Sequence, residues 1–299
     1  MYQGAPARFM VPFSSDNRFL AIRHIDNNWT FWDLETEPAR LALQLRNDPS
    51  GGITKRISLD CAFMPGSPKV AVSTQSGSCA IFNLLNGSRE KEFSLPERAG
   101  AISFSADGKQ LAVSEPTRNE VLVFDVETGN QKQTLHASVS IVSLAWNPFG
   151  KELAGGDFEG SIHFWNPATG DETGTLTGPN SRITQILYSA DGHYLISTSL
   201  ERVVRLWDAK HHFLLSRQIG WGSDPVMRLS AKGDQLGVAQ FGHPDACILD
   251  LALEPTLKLV WAPKKPTTAG LFSALDFSED GSFLVCTILS PVIERFGYL

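Results

Sequence analysis

Residues 101–135 read AISFSADGKQLAVSEPTRNEVLVFDVETGNQKQTL, and this stretch decides the fold. It divides into four short apolar runs separated by turn residues. Residues 101–104 predict a first strand, a, and Ser105-Ala106-Asp107-Gly108 a tight turn. Residues 110–114 predict strand b and residues 120–124 strand c. Glu127-Thr128-Gly129 then turns the chain into strand d, residues 131–135. The runs favour Val, Ile, Leu and Phe, which suit a pleated, half-buried surface. Glycine at the turn ends supplies a positive φ without a Cβ clash.

The same unit recurs on both sides of this stretch. An aromatic or large apolar anchor followed by Asp or Asn stands at Trp32-Asp33, Phe82-Asn83, Phe124-Asp125, Trp165-Asn166, Trp207-Asp208 and Leu249-Asp250, with a degenerate Phe296-Gly297. By subtraction the anchors are 50, 42, 41, 42, 42 and 47 residues apart. Turn residues at Asn17, Gly66, Gly108, Gly150, Gly192, Gly233 and Gly281 each precede an anchor by 15 or 16 residues. Two markers that keep phase seven times define a repeat. Gly87, Gly129 and Gly170 fall five residues after their anchors, whereas Glu37 and His212 occupy that place in two other units. No segment carries a helical stripe over ten or more residues. A sheet of about 42 residues cannot bury both its faces alone, but radial stacking of such sheets does so. The expected fold is therefore all-β: a seven-bladed β-propeller of four-stranded antiparallel blades, one domain over residues 1–299.

At this point the chain resembles the WD40 repeat family. The best matches run from Tyr194-Leu195-Ile196-Ser197-Thr198-Ser199 to Val204-Arg205-Leu206-Trp207-Asp208, and from Phe19-Leu20-Ala21 to Phe31-Trp32-Asp33. The degenerate repeats are similar to bacterial WD40 proteins, in which propellers are often joined to signalling domains. The family's Gly-His before strand a is mostly replaced, with His136 alone near such a place. Its Asp, six residues before the Trp, is matched by Asp26; Glu159 and Glu201 stand there in two units and are expected to bond backbone amides locally. The family's Trp–Ser/Thr–His–Asp network is thus incomplete, and packing is expected to carry most of the stability. The last anchor leaves blade seven without strand d, which residues 2–5, ahead of a strand a at residues 8–13, are expected to supply.

The bulk numbers agree with a folded domain. The chain has 299 residues, 42% hydrophobic and 19% charged, with a net charge of −6. That balance argues against a general nucleic-acid or anionic-membrane surface. No signal peptide or membrane span is visible, so a cytoplasmic location is expected. Cys61, Cys79, Cys247 and Cys286 form no C-x-x-C pair and sit in strand-like runs, which predicts buried thiols.

The sequence carries none of the common catalytic signatures. There is no G-x-S-x-G elbow, phosphate loop or H-E-x-x-H helix. Asp276 to Gly281 resembles the head of a calcium loop, but Thr287 stands at the twelfth position, so a plain turn is expected. His211-His212 lies in a c–d connection, where an exposed polar pair is normal; neighbours on an extended chain point apart and do not share an ion. No metal and no cofactor is expected. Glu159 and Glu201 could form a carboxylate pair around a central opening, as in lactonase-type propellers. This leaves a propeller hydrolase, or a sensor module of a larger signalling protein, as alternatives.

In the WD40 family the d–a and b–c loops open on one face, here called upper, and the short a–b and c–d turns lie on the lower face. Upper-side connections vary most in this chain: residues 46–56, residues 220–225 and residues 262–266. Variation on a rigid frame is where specificity is usually placed. Trp221 is the first candidate, because Trp and Arg anchors dominate interfaces. Arg98, Arg118, Phe158, Arg182, Arg202, Phe241 and Phe272 are expected around the same rim. The expected function is a protein-interaction scaffold without catalysis. Its expected partner is a protein or peptide, not a nucleic acid or membrane, and the chain is expected to be a monomer or part of a larger assembly.

Overall fold

A computed structural model describes residues 14–16, 18–23, 28–45, 58–74, 77–178, 180–201 and 203–219, and then the segments 225–230, 235–240, 246–250, 258–261, 272–277, 283–288 and 293–297. Sheet one holds β1 (Phe19–Arg23), β2 (Trp29–Asp33) and β3 (Arg40–Leu45). Sheet two holds β4 (Ser58–Phe63), β5 (Lys69–Thr74), β6 (Ser78–Asn83) and β7 (Arg89–Ser94). Sheet three, the stretch quoted first, holds β8 (Ile102–Phe104), β9 (Gln110–Glu115), β10 (Glu120–Asp125) and β11 (Gln131–His136). Sheet four holds β12 (Ile141–Trp146), β13 (Leu153–Asp157), β14 (Ile162–Trp165) and β15 (Glu172–Leu176). Sheet five holds β16 (Ile183–Tyr188), β17 (Tyr194–Ser199), β18 (Val203–Asp208) and β19 (Phe213–Ile219). Sheet six holds β20 (Pro225–Leu229), β21 (Gln235–Gln240), β22 (Ala246–Asp250) and β23 (Lys258–Trp261). Sheet seven holds β24 (Phe272–Phe277), β25 (Phe283–Ile288) and β26 (Ile293–Gly297). Each sheet is an antiparallel meander with its strands in chain order. Five sheets have four strands; sheets one and seven have three among the described residues. The segment expected to close blade seven, residues 2–5, lies outside the described residues, as does residues 8–13.

The turns explain why the phase is kept. In sheet three the Ser105 hydroxyl donates to Asp107 Oδ1 (2.6 Å), which also accepts the Lys109 amide, while the Gln110 amide donates to Ser105 Oγ. Ser189, Asp191, His193 and Tyr194 repeat these bonds in sheet five, and Ser14, Asp16, Arg18 and Phe19 repeat them in sheet one. At the c–d turn Asp125 Oδ1 accepts the Thr128 amide and the Gly129 amide donates to the Asp125 carbonyl. Gly129 there has φ 79°. The short polar side chains thus stand in for backbone turn bonds.

Six of the seven anchors also mark a bulge. The c–d register shifts immediately before Trp32, Phe82, Phe124, Trp165, Trp207 and Leu249. A bulge sharpens the local twist and re-aims the anchor side chain. The first strands stand side by side from β4 through β8, β12, β16 and β20 to β24. Between neighbouring sheets lie separate apolar layers. Phe93 and Leu95 of sheet two meet Phe104 and Leu111 of sheet three; Val121, Val123 and Leu135 of sheet three meet Trp146 and Trp165 of sheet four. Trp165 is fully buried, and its indole N–H reaches back to the His136 carbonyl (3.1 Å). Side chains also stitch the inner edges. Asp60 accepts the Ile102 amide, Ser143 accepts the Ile186 amide, and the Gln185 amide group bonds both ways with the Met227 backbone. These sheets are the blades of a propeller.

Candidate functional site

The b–c and d–a connections of blades three to five form the best-described part of the upper face. Each b–c connection begins where strand b ends, and the side chain at that place differs in every blade. In blade two Thr74 bonds the Ser78 amide across the b–c turn. In blade four the place belongs to Asp157. One carboxylate oxygen accepts the amides of Glu159, Gly160 and Ser161 at 2.9, 2.6 and 2.7 Å, and the other accepts from His163 Nε2 (3.2 Å). His163 Nδ1 meets Glu172 Oε1 at 2.8 Å, and the ring stacks on Trp165. Both ring nitrogens face carboxylate oxygens, so both must donate. Burial pushes the His163 pKa down, but the bonds to Asp157 and Glu172 outweigh it and leave it raised. Burial likewise pushes Asp157 and Glu172 up; for Asp157 the His163 and backbone bonds, and for Glu172 the Thr175 and His163 bonds, leave each lowered. The result is a buried imidazolium between two carboxylates.

This corrects the expectation for Glu159. Its own amide is capped by Asp157, two residues earlier, which is the residue that holds the turn. Glu201 is not an amide acceptor in that sense either: it takes the Arg205 guanidinium at 2.5 Å. Arg205 is itself buried and donates to Ser199 Oγ. The family-like Trp–Ser bond is nevertheless present in blade five, from Trp207 Nε1 to Ser197 Oγ (2.8 Å).

Blade three differs. Glu115 stands in the place of Asp157, and Leu122 stands where blade four has His163, two residues before the anchor. Glu115 is fully buried, and neither carboxylate oxygen makes a hydrogen bond of normal geometry. Burial raises its pKa, against the pull of Arg118.

Above these side chains the surface is more apolar. Phe158, at the tip of the blade-four b–c loop, is 52% exposed. The Arg182 guanidinium lies over its ring, 5.4 Å from the centroid. Leu200, 49% exposed, is tied to the same spot by its amide, which donates to the Arg182 carbonyl (3.0 Å). Phe158, Arg182 and Leu200 therefore form a ledge across the junction of blades four and five. A cation over an aromatic face is worth about 0.5–1 kcal/mol at an exposed site.

Of the predicted rim residues, the structure brings Phe158 and Arg182 together. Arg118 lies on the blade-three b–c loop, half exposed, facing Glu120 at 3.4 Å. Arg98 is half-buried on the connection into blade three. Trp221, Arg202 and Phe241 lie outside the described residues. Phe272 opens β24, and its side chain lies outside them too. The connections at residues 46–56 and 262–266, and residues 220–224, are outside as well. Leu200, Asp157, His163, Arg205 and Glu115 were not anticipated. The one available signal was the place two residues before each anchor, which reads Thr30, Ala80, Leu122, His163 and Arg205.

Cys61 and Cys79 are buried free thiols, and burial raises both pKa values. The side chains of Cys247 and Cys286 lie outside the described residues, as do most residues of the Asp276–Gly281 turn. His211 is exposed and faces Asp208. His212 is not: it turns inward and stacks on Phe164. Among the described residues no group of three His, Cys, Asp or Glu side chains is arranged to hold a metal ion. No helix among them is long and apolar enough to cross a membrane.

Comparison with known proteins places this geometry. The family model described as "WD domain, G-beta repeat" matches residues 129–166 and 170–208. The apoptotic protease-activating factor 1 of Danio rerio is 28% identical over 161 residues, half of this chain and 13% of the relative. The APC/C activator protein CDC20 of Saccharomyces cerevisiae is 30% identical over 182 residues, 56% of this chain and 27% of the relative. Eukaryotic translation initiation factor 3 subunit I of Aspergillus terreus is 25% identical over 170 residues, 52% of this chain and 51% of the relative. The chain thus spans about half or less of the length of these relatives.

Proposed function

We propose that this chain, which belongs to the WD40 repeat family, is a protein-interaction module that offers its upper face to a protein or peptide partner and performs no covalent chemistry. The observation that supports this is the ledge of Phe158, Arg182 and Leu200. An aromatic ring and a leucine held half in water beside a guanidinium is the composition of an interface anchor. The nearby buried groups His163 and Arg205 are engaged by their own partners, Asp157 and Glu201. The relatives support a partner that is itself protein: one is named an activator of APC/C and another a subunit of an initiation factor.

The reading extends to the whole chain. Residues 1–299 form one closed ring of seven blades, as the seven anchors suggest. Trp221, Arg202, Arg98, Arg118, Phe241 and Phe272 continue the rim. The module works in the cytoplasm, as a monomer or within a larger assembly, and the net charge of −6 does not suit nucleic acid. The test is capture of partners from the native host by wild type and by a Phe158→Ala, Arg182→Ala double variant of matched thermal stability. A partner held by wild type and lost by the variant supports the ledge. The same partners on both place the interaction elsewhere.

A further inference from the structure

The b–c loop of blade three is built differently from those of its neighbours. Leu111, Leu153 and Leu195 pair with the anchors of blades three, four and five. Five residues after each stand Pro116, Phe158 and Leu200, at the start of the b–c loop. In blades four and five this residue ties the loop to the connection that enters the same blade. The Phe158 amide donates to the Ser140 carbonyl and the Leu200 amide to the Arg182 carbonyl, each at 3.0 Å. The matching pair in blade three is Pro116 and Arg98. Proline has no amide hydrogen, so that tie cannot form.

The loop, residues 116–119, is held from its other side instead. The Ser140 hydroxyl donates to the Pro116 carbonyl (2.5 Å), and the Ala137 amide donates to the Asn119 carbonyl (2.9 Å). Asn119 sits in the left-handed region, at φ 57°. Toward its own entering connection the last backbone bond is that of the Gly100 amide to the Ser114 carbonyl (2.8 Å).

Glu115 lies at the base of this loop and is fully buried. Its counterpart Asp157 accepts three loop amides. Among the described residues no donor reaches either Glu115 oxygen in normal bonding geometry. Directly across the b–c register stands a second carboxylate, Glu120. Like charges in that relation destabilise a strand pair. The other charged groups around Glu115 are Arg118 on the loop and Glu97 and Arg98 on the entering connection. Glu120 itself faces Arg118 Nε at 3.4 Å and His136 Nδ1 at 3.6 Å. Burial raises the Glu115 pKa; Arg118 opposes this, Glu120 and Glu97 add to it, and the Arg98 amide opposes. A buried carboxyl group with no donor costs least while it keeps its proton.

We propose that residues 116–119 form a proton-operated flap, closed while Glu115 is protonated and lifted when Glu115 ionises and its carboxylate turns out to water. Asn119 and Ser140 are the hinge side, and the edge facing Arg98, which Pro116 leaves untied, is the side that opens. The closed form is complete below the pKa of a free glutamate and is lost as the pH rises through the value of the closed form. Arg118 rides on the flap, so opening carries this cation away from Glu120. The motion needs no partner at the ledge.

The test is carboxyl NMR of the full chain, titrated from acid to neutral pH beside hydrogen-exchange protection of the loop amides. The Glu115 carboxyl carbon is expected to titrate at a higher pH than a free glutamate. Protection at Thr117, Arg118 and Asn119 is expected to be lost with the same midpoint, while the tied amides of Phe158 and Leu200 keep theirs. Glu115→Gln, which cannot ionise, should lack the step. Pro116→Ala supplies the missing amide and should keep the loop protected after Glu115 has ionised. Unchanged spectra in the other blades show that each variant is folded. Glu115 titrating like a free glutamate, a loop step that survives either substitution, or an equal step at Phe158 and Leu200 overturns the proposal.

Discussion

Blades three and four share a frame and differ in what the frame holds. Both build the c–d turn on an Asp or Asn after the anchor and a positive-φ glycine, and both place a bulge at the anchor. Their anchors, Phe124 and Trp165, are buried in adjoining apolar layers. At the upper end they part. Blade four ends strand b with an aspartate whose two oxygens serve three amides and an imidazolium. Blade three ends it with a glutamate that is equally buried and whose oxygens make no hydrogen bond of normal geometry. The frame positions carry the fold, and the place two before the anchor decides whether a buried carboxylate is a support or a cost.

The largest expected effect tests the shared half of that statement. Trp165→Ala and Phe124→Ala should each cost about 3–5 kcal/mol in urea unfolding, as large aromatic deletions in cores do. A cost below about 1 kcal/mol in either blade breaks the claim of a common frame.

The next prediction tests the difference. His163→Leu copies blade three into blade four and strands Asp157 and Glu172. Removing one partner of a buried ion pair costs about 3 kcal/mol. Glu115→Gln, by contrast, removes a buried carboxylate that lacks a hydrogen bond of normal geometry and should leave stability unchanged or raise it by up to about 1 kcal/mol. Equal losses from the two substitutions would show that the blades do not differ in the way described.

The pH dependence sharpens the same contrast. His163 is raised in the folded state, so its contribution is complete below the pKa of a free histidine and fades as pH climbs through the folded value. Asp157 and Glu172 are lowered, so theirs is complete above the pKa of free carboxylates and fades as pH falls through their folded values. The stability gap between wild type and His163→Leu should therefore peak in mildly acidic solution, at about pH 5–6, and narrow on both sides. Glu115 has the opposite sign for a carboxylate: its raised pKa means that wild type gains relative to Glu115→Leu as the pH falls through the folded value to that of a free glutamate. Melting curves from pH 3 to 9 would expose a flat gap in either case.

The smallest effect on stability belongs to the ledge. Arg182→Ala removes a cation–π contact worth about 0.5–1 kcal/mol, so melting should barely move while partner capture suffers. A large loss of stability from this substitution would make Arg182 a structural residue.

How much of this the sequence disclosed follows from what each feature depends on. The frame was legible because it is local: Ser105 to Gln110 form one turn, and Phe124 to Gly129 form the next, each within six residues. Strand b in blade three runs from Gln110 to Glu115, one residue beyond the reading. Counting back from the Trp failed for Asp157, because the length of the b–c loop decides which acidic residue meets the turn amides. Glu159 sits six residues before Trp165 but at the tip of that loop. Phe158 and Arg182 were both named from loop variability, yet nothing in one dimension put Arg182 over the Phe158 ring or Leu200 beside it. His212 was read as exposed. Its inward turn depends on Gly174 of the preceding blade, 38 positions earlier in the sequence, which leaves room for the ring.

The most direct measurement is site-specific photo-crosslinking in the native host, with 4-benzoylphenylalanine placed at Phe158 on the upper ledge and, separately, at Phe149 on a lower turn. Phe149 is the more exposed of the two, at 65% against 52%, so exposure alone favours it. The upper-face reading predicts a discrete crosslinked protein from position 158, competed away by unlabelled wild-type chain, and none from position 149. A discrete product from position 149 alone would contradict it.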